Sequence, residues 1–456
     1  PTLHRTDLVA RITVAASEYL IGREVVKDSL PPPLPTNTSL YHKRFSVTPD
    51  RPAGWASPRY WGVDKDGKLE HYVARRIDSG VPEYYTRLYT GVPTDPGVFD
   101  DSLGSDTIYL IANVDVDGIV VTSGQHITFT VDPGAQYTIK RVAGGSNNII
   151  RIEHTASLEM SASSGGALII DGGAVWGTGD PATGALNAGM TASGSLIYVS
   201  GDTISPGVFI LGYNAILQNN DRGGGDGGAV EAGGDFIMKP GALITHNKTA
   251  GNGGGIAFAA PLGTSQNRII EGGTIRANDA GGLGGGVMLD LSSKVTLVMR
   301  GGTITANRAK SPGSDLSRVS DEIETYGRYG GGIFVPNTLT SRNQFIMEGG
   351  SITGNFSNVL PNDATVDKTV TAAPLFRMSG SARIGNIVLH SDPGSYGDCS
   401  ITVGAFTGSG LVATIDADNF FPRGYVQALI GLSPWFNRFA AAGGHTLNYS
   451  TGLLSP

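Results

Sequence analysis

The sequence predicts an all-β protein, a right-handed parallel β-helix solenoid of about ten coils with three short strands per coil. Three observations predict this fold. One phrase recurs at a nearly constant spacing, a glycine run and an apolar residue follow most copies, and apolar positions line up from copy to copy. The right-handed sense follows because crossovers between parallel strands are overwhelmingly right-handed.

The recurring phrase is clearest at residues 345–355, FIMEGGSITGN, and each copy ends in an asparagine. Successive terminal asparagines lie 28, 31, 29, 48 and 31 residues apart. Four copies are followed by a glycine run: GGAV at 227–230, GGGI at 253–256, GGGV at 284–287 and GGGI at 330–333. Each unit therefore reads as strand, Gly-Gly turn, strand, loop, glycine run and strand, which is one coil that buries its apolar side only against its neighbours.

Composition excludes several other classes of protein. The 67 glycines show no Gly-X-Y period, which excludes collagen, and the net charge of −7 with no basic stripe gives no reason to expect nucleic acid as a partner. Cys399 stands alone, so no disulfide framework or thiolate metal site is predicted. The chain has no run of 18 apolar residues that could form a transmembrane segment, and no cofactor or metal is predicted.

The chain divides into three predicted parts. Residues 1–100 form an aromatic and proline-rich N-terminal segment, 105–418 form the parallel β-helix, and 419–456 form a C-terminal module. The module resembles residues 12–49, because TIDADNFFPRGYV at 414–426 aligns without gaps with TVAASEYLIGREV at 13–25. The duplication predicts that the chain is a segment of a longer tandem-repeat polypeptide.

The repeats resemble those of pectin-lyase-like right-handed β-helix proteins, and most closely the glycine-rich autotransported and polymorphic outer-membrane proteins of bacteria. Hallmarks of the latter are Gly-Gly-Ala-Ile/Leu/Val and Phe-x-x-Asn. GGAV at 227–230 matches the first, whereas the second occurs only as Ile-x-x-Asn. The resemblance covers about residues 205–390 and implies a fold that hosts adhesins, lyases, hydrolases and structural fibres.

Stacking the units converts sequence positions into columns along the solenoid. The terminal asparagines are predicted to form an internal amide ladder at a turn, since stacked Asn side chains can bond up and down a column. These residues are Asn219, Asn247, Asn278, Asn307, Asn355 and Asn386. An inward-facing apolar column is predicted three residues earlier, at Ile216, Ile244, Ile275, Ile304 and Ile352.

Charged residues and a second apolar column are expected on the surface. Lys239, Glu271, Arg300 and Glu348 alternate in sign in one column, and Lys248, Asp279 and Arg308 do so in another. This alternation predicts pairing between neighbouring coils. Because FIL, FIM and LVM put apolar residues on both faces of a strand, one column must face outward: Ile210, Ile237, Ile269, Val298 and Ile346, or the Phe and Met columns beside it. The N-terminal segment is expected to cover that stripe.

Candidate binding residues lie in an insertion at 310–329 that breaks the period, because loops on a rigid solenoid often carry function. They are Asp315, Asp321, Glu322, Glu324, Tyr326 and Tyr329. The competing interpretation is a solvated acidic surface loop. No catalytic residues are assigned, because the paired charge columns neutralise carboxylates instead of bringing them together as glycan hydrolysis requires.

The sequence therefore predicts a secreted or cell-surface protein, extracellular in location, with a structural or adhesive function. Expected partners are a surface glycan, a host or cell-surface protein, or other copies assembled along the solenoid. The alternative is a lyase, a hydrolase or a carbohydrate-binding protein on a pectin-lyase-like fold. Ice binding is a more distant alternative, suggested by the Thr274, Thr303 and Ser351 column and weakened by Ala215 and Leu243 at equivalent positions.

Overall fold

A computed structural model describes most of the solenoid and parts of the N-terminal segment. The described residues are 10–14, 45–49, 61–63, 69–78, 81–91, 97–100, 104–175, 191–259, 267–292, 294–309, 329–337, 343–358, 360–368, 375–391, 399–417, 425–442 and 444–456. Within these residues the protein is almost entirely β-structure, built from long sheets whose successive strands come from successive repeats. The architecture is solenoid-like, as the repeats predict.

Sheet I has 13 strands and begins with an antiparallel hairpin. In spatial order its strands are Val81–Tyr85, Ala74–Asp78, Ser105–Leu110, His126–Val131, Ser157–Met160, Val208–Leu211, Asp235–Met238, Arg268–Ile270, Thr296–Met299, Gln344–Met347, Leu375–Gly380, Ile401–Phe406 and Leu429–Gly431. From Ser105 onward every pairing in this sheet is parallel.

Sheets II and III are parallel throughout and have nine and 11 strands. Sheet II consists of Val114–Val116, Gln136–Arg141, Ala167–Asp171, Ala215–Gln218, Leu243–Thr245, Thr274–Arg276, Thr303–Thr305, Ser351–Thr353 and Arg383–Ile384. Sheet III consists of Ile119–Val121, Ile150–Ile152, Ile197–Val199, Val230–Ala232, Ile256–Phe258, Val287–Leu289, Ile333–Asn337, Ala364–Lys368, Asn386–Ser391, Ala413–Ala417 and Phe439–Ala441.

A narrow fourth sheet lies between sheets II and III along the chain, and two small sheets lie near the termini. Sheet IV consists of Thr191–Ala192, Asp221–Arg222, Lys248–Thr249, Asp279–Ala280, Arg308–Ala309, Phe356–Ser357 and Leu360–Pro361. The N-terminal sheet contains Ala10–Val14, Phe45–Pro49, Trp61–Val63 and Leu69–His71, and the C-terminal sheet contains Val426–Gln427, Leu453–Ser455 and Thr446–Leu447. One helical segment, the 3₁₀ turn Ser433–Arg438, occurs in the described chain.

The core runs between the sheets because alternate residues of each strand point inward. In sheet I the Phe and Met columns are the inward ones: Phe209 and Phe236 stack with ring centroids 5.9 Å apart, and Phe345 and Phe376 with centroids 5.2 Å apart. All four rings are completely buried. Full burial of such a side chain stabilises the fold by about 2–3 kcal/mol.

The intervening column of sheet I faces outward and is half-buried; it contains Ile210, Ile237, Ile269, Val298 and Ile346. The strands also continue beyond residue 418, since Leu429–Gly431 and Phe439–Ala441 extend sheets I and III. Ala74–Asp78 from the N-terminal segment is a strand of sheet I, paired with Ser105–Leu110, and does not lie along the outward column. The strands that correspond in the two duplicated segments differ in their partners: Ala10–Val14 pairs with Phe45–Pro49, and Ala413–Ala417 with Asn386–Ser391.

Candidate functional site: amide ladder and terminal groove

A column of buried amides joins successive coils inside the turn between sheets II and IV. The Nδ2 of Asn247 donates to Oδ1 of Asn278 at 3.0 Å, Asn278 donates likewise to Asn307 at 2.9 Å, and Asn307 to Asn355 at 2.9 Å. Each Oδ1 also accepts the backbone N–H of the preceding ladder residue, at 3.0 Å in all three cases. Every rung is therefore held by both side-chain and backbone bonds, away from water.

The ladder ends in opposite charges. Asn355 donates its Nδ2 to Oδ1 of Asp363 at 2.9 Å, which puts a carboxylate at the N–H end of the amide chain. At the other end the backbone N–H of Asn220 donates to Asn247, and the buried guanidinium of Arg141 donates to Oδ1 of Asn220 at 3.0 Å. Each charge thus matches the adjacent end of the aligned amide dipoles, as charged residues do at helix ends.

The glycine runs are required by this ladder. A Cβ on Gly286 would lie 2.6 Å from the carbonyl oxygen of Gly332 and 3.0 Å from Nδ2 of Asn307. A Cβ on Gly332 would lie 2.9 Å from Nδ2 of Asn355. In the three GGG runs the third glycine leaves the space that the amide occupies, which explains why the two sequence features occur together there. In GGAV at 227–230, Ala229 takes the equivalent position.

Two predicted ladder residues lie elsewhere. Asn219 adopts a left-handed backbone with φ of 57° and donates its Nδ2 to Asp171, while Asn220 takes the ladder position. Asn386 reaches the column through its backbone: its N–H donates to Oδ2 of Asp363 at 2.9 Å, and its carbonyl accepts the N–H of Asp363 at 3.1 Å. Similarly, Leu217 replaces Ile216 in the inward column, because Leu217 pairs with Ile244.

Of the candidate binding residues in the insertion, only Tyr329 is described. Asp315, Asp321, Glu322, Glu324 and Tyr326 lie outside the described residues. Tyr329 is completely buried, its N–H donates to Oγ of Ser357 at 3.0 Å, and its carbonyl accepts the N–H of Gly284. The residue therefore anchors the end of the insertion to the solenoid and offers no surface to a ligand.

Some residues of the two predicted charge columns form ion pairs. Arg300 lies 3.5 Å from Glu348 with both side chains about half exposed, and Lys239 pairs with Glu159 at 2.9 Å. The second column contains a buried pair, Arg308 and Asp279, at 3.5 Å. Register places Lys248 beside Asp279 on the preceding strand, so cations and anions alternate from coil to coil.

A groove of about 1080 Å³ lies where sheets II and III begin. It is lined by residues 114–120, which belong to the first strands of those sheets and their connection, by residues 86–90, and by the loops at 146–148 and 193–194. The outward column of sheet III also lines it, and register stacks Val120, Arg151, Tyr198 and Glu231 on successive strands.

The outward column of the groove combines an aromatic ring with a guanidinium group. The guanidinium of Arg151 lies 5.3 Å from the ring centroid of Tyr198, a cation–π contact. On the next strand Glu231 is paired with Arg222 at 2.7 Å. Arg222 also donates to Oγ of Ser195 at 2.8 Å, so its position is fixed from two sides.

Residues 86–90, which also line the groove, are held in place by one carboxylate. Asp100 accepts the N–H groups of Thr90, Gly91 and Gly97 at 2.7, 3.0 and 2.8 Å. Tyr89, beside Thr90, has a pKa raised by burial and, to a smaller extent, by Asp100 and Glu153. The groove therefore presents two tyrosines, Tyr89 and Tyr198.

The loops that line the groove are fixed by hydrogen bonds from the buried Arg141, the cationic end of the ladder. Its guanidinium donates to the carbonyls of Asn147 and Gly194, and burial lowers its pKa to about 10 while Asp117 acts in the opposite direction. A Cβ on Gly194 would lie 2.4 Å from the backbone nitrogen of Asn148, so only glycine fits there. The polar atoms of these loops are therefore preorganised.

This arrangement is suited to binding a polar ligand in an extended site. Fixed carboxylates, amides and hydroxyls can accept and donate hydrogen bonds, and the tyrosine rings provide apolar surface. Within the described residues no group of three or more His, Cys, Asp or Glu side chains is placed to hold a metal ion, and no helix is long and apolar enough to cross a membrane.

Sequence patterns did not reveal the groove, because its residues belong to separated segments between 86 and 231, and most of them precede the regular repeats. The only available signal was the pair Arg151 and Tyr198 at the middle of two three-residue apolar strands. Comparison with known proteins found no matching family model, no matching curated protein and no matching solved structure.

Proposed function

We propose that this chain is a secreted or cell-surface protein with a structural and adhesive role, built on a right-handed parallel β-helix of about ten coils with three strands each. The observation that carries the proposal is the buried amide ladder, which ties consecutive coils together and ends in Arg141 and Asp363. A column of this kind stiffens a solenoid along its axis, as a scaffold that presents binding surfaces requires.

The resemblance of the glycine-rich repeats to autotransported and polymorphic outer-membrane proteins of bacteria supports the extracellular location. On this proposal the partners are a surface glycan, a host or cell-surface protein, or further copies assembled along the solenoid. Antibody labelling of intact and permeabilised cells of the source tests the location. Labelling of intact cells, lost after brief surface proteolysis, is expected; labelling only after permeabilisation would contradict it.

The groove favours a second function, carbohydrate binding with or without chain cleavage. Its tyrosines and fixed polar groups are the elements that sugar-binding sites combine. A glycan array read for both retention and release of new reducing or unsaturated ends separates binding from catalysis. Retention of the protein on a glycan without new chain ends supports the adhesive proposal. Chain ends that increase with protein concentration and time support a lyase or hydrolase.

A further inference from the structure

We propose that the groove at the start of sheets II and III binds an acidic oligosaccharide, with Arg151 recognising its anionic group. This inference rests on the carbohydrate-binding part of the proposed function and adds the chemical class of the ligand. The balance of charge in the groove, the orientation of Arg151, and the mixture of apolar and polar surface all favour such a ligand.

The carboxylates of the groove each have a cation close by. Glu231 is paired with Arg222 at 2.7 Å, and Asp117 is close enough to raise the pKa of the buried Arg141. Asp115 lies directly beside Lys140 on the neighbouring strand of sheet II. The negative charges of the lining are therefore largely offset within the protein.

Arg151 is a cation of the groove that is not used to offset any of these carboxylates. Its side chain is exposed, it lies on the outward face of sheet III, and no ion pair joins it to a carboxylate of the described chain. Its contact with the ring of Tyr198 limits the positions that the guanidinium can adopt, so less conformational entropy is lost when a ligand binds. A planar guanidinium held in this way presents its N–H groups for bidentate contact with a carboxylate or a sulfate.

The rest of the groove fits a saccharide better than a simple anion. A sugar ring has apolar C–H faces and hydroxyl edges, and the groove offers Tyr89 and Tyr198 for the faces. Asn147, Asn148 and Ser146 line the same space and can bond hydroxyls. The volume of about 1080 Å³ is slightly larger than that of ordinary ligand sites, which favours several linked rings over a monosaccharide.

The test is titration calorimetry of the full chain with four probes: a tetragalacturonic acid, a chondroitin sulfate tetrasaccharide, the neutral maltotetraose and a tetraglutamate peptide. Arg151→Gln removes the charge at an exposed site, and Arg276→Gln is the matched control because Arg276 is an exposed arginine on sheet II outside the groove. Thermal unfolding of both variants establishes that they fold as the parent does.

The proposal expects the parent to bind at least one acidic tetrasaccharide about tenfold more tightly than maltotetraose, and Arg151→Gln alone to abolish that preference. The carboxylated and sulfated probes identify which anion is recognised. Equal binding of maltotetraose that is unaffected by Arg151→Gln would overturn the acidic class and leave carbohydrate binding intact. Binding of tetraglutamate as tight as that of the sugars, or equal losses in the two variants, would overturn the assignment to a saccharide, and binding of no probe would overturn both.

Discussion

Asn307 uses its whole hydrogen-bonding capacity to connect three coils. Its Nδ2 donates to the carbonyl of Ile275 and to Oδ1 of Asn355, both at 2.9 Å. Its Oδ1 accepts the backbone N–H and the Nδ2 of Asn278 at 3.0 and 2.9 Å. Because a buried polar group that loses its partner costs more than the bond itself was worth, each ladder amide is sensitive to replacement.

We therefore expect Asn307→Ala to lower the free energy of unfolding by about 3 kcal/mol, since donors on Asn278 and the carbonyl of Ile275 lose their partner. Chemical denaturation at neutral pH measures the change. Thr305→Ala, two residues earlier on the outward face of the same coil, is the control and should change stability by less than about 0.5 kcal/mol. Equal effects of the two substitutions would contradict the ladder's importance.

Asp363 makes part of the stability depend on pH. Burial raises its pKa above the ordinary 3.8, although bonds from Asn355 and Asn386 act in the opposite direction. A raised folded-state pKa means that the folded protein holds the proton more tightly than the unfolded chain. The contribution that this proton makes to the free energy of unfolding is fully present below the pKa of the unfolded chain. It is lost as the pH rises through the pKa of the folded protein.

Asp363→Asn should remove this component, so that stability declines less between about pH 4 and the raised folded pKa than in the parent. Urea unfolding at a series of pH values measures the two slopes. Asp221, whose pKa burial also raises, provides the comparison: Asp221→Asn should remove its own contribution and leave that of Asp363. Identical pH profiles for the parent and Asp363→Asn would show that the carboxylate does not titrate in this range.

At the scale of the elements, the sequence predicts the strands and the turns formed by the glycine runs. It predicts only part of the register in which the strands pair. The inward column from Ile244 to Ile352 and the four amides from Asn247 to Asn355 follow from the period, because each position is repeated in an equivalent environment. The register at Asn219 and Asn220 could not be read from sequence, since two adjacent asparagines fit the same pattern. At the other end the period is broken, and a carboxylate, Asp363, occupies the position expected for an amide.

The third glycine of a GGG run should not accommodate a side chain. Gly286→Ala places a Cβ 2.6 Å from the carbonyl oxygen of Gly332, and backbone must shift to accommodate it. We expect a loss of about 2 kcal/mol in the free energy of unfolding, as overpacking typically costs. Gly224→Ala is the matched control, because a Cβ there meets nothing within 4 Å. If both substitutions have the same effect in thermal unfolding, crowding is not the reason for the glycine.

The two charge columns should respond differently to salt. Arg300→Glu places like charges beside Glu348 on a surface where both partners are about half exposed, so we expect a loss of under about 1 kcal/mol that shrinks at high ionic strength. Arg308→Met removes the cation that lies 3.5 Å from the buried Asp279 and should cost about 3 kcal/mol with little dependence on salt. Unfolding at two ionic strengths compares them, and a salt-sensitive loss at Arg308 would argue that the pair is hydrated.

For the whole molecule, the ends of the solenoid control where unfolding begins. Each coil contacts chiefly its neighbours, so stability is the sum of local terms and an uncovered end opens first. At the start, the hairpin of Val81–Tyr85 and Ala74–Asp78 covers Ser105–Leu110 of sheet I, and Arg76 fixes it through Glu83 and Asp106 at 2.9 and 3.4 Å. At the other end, Gly452 accepts the N–H groups of Ala428 and Leu429, both at 3.0 Å, and closes the same sheet.

Leu454→Ala should therefore loosen the C-terminal end alone. Leu454 is completely buried in the C-terminal sheet, and removing most of its side chain weakens the strand that holds Gly452 in place. We expect amide exchange to become at least about tenfold faster in Leu429–Gly431 and Ile401–Phe406, with no change in Arg268–Ile270 at the middle of sheet I. Leu453→Ala, at the half-buried neighbour, should leave exchange nearly unchanged. Faster exchange spread evenly over all three strands would mean that the sheets unfold as one cooperative unit, and the coil-by-coil account of stability would then be wrong.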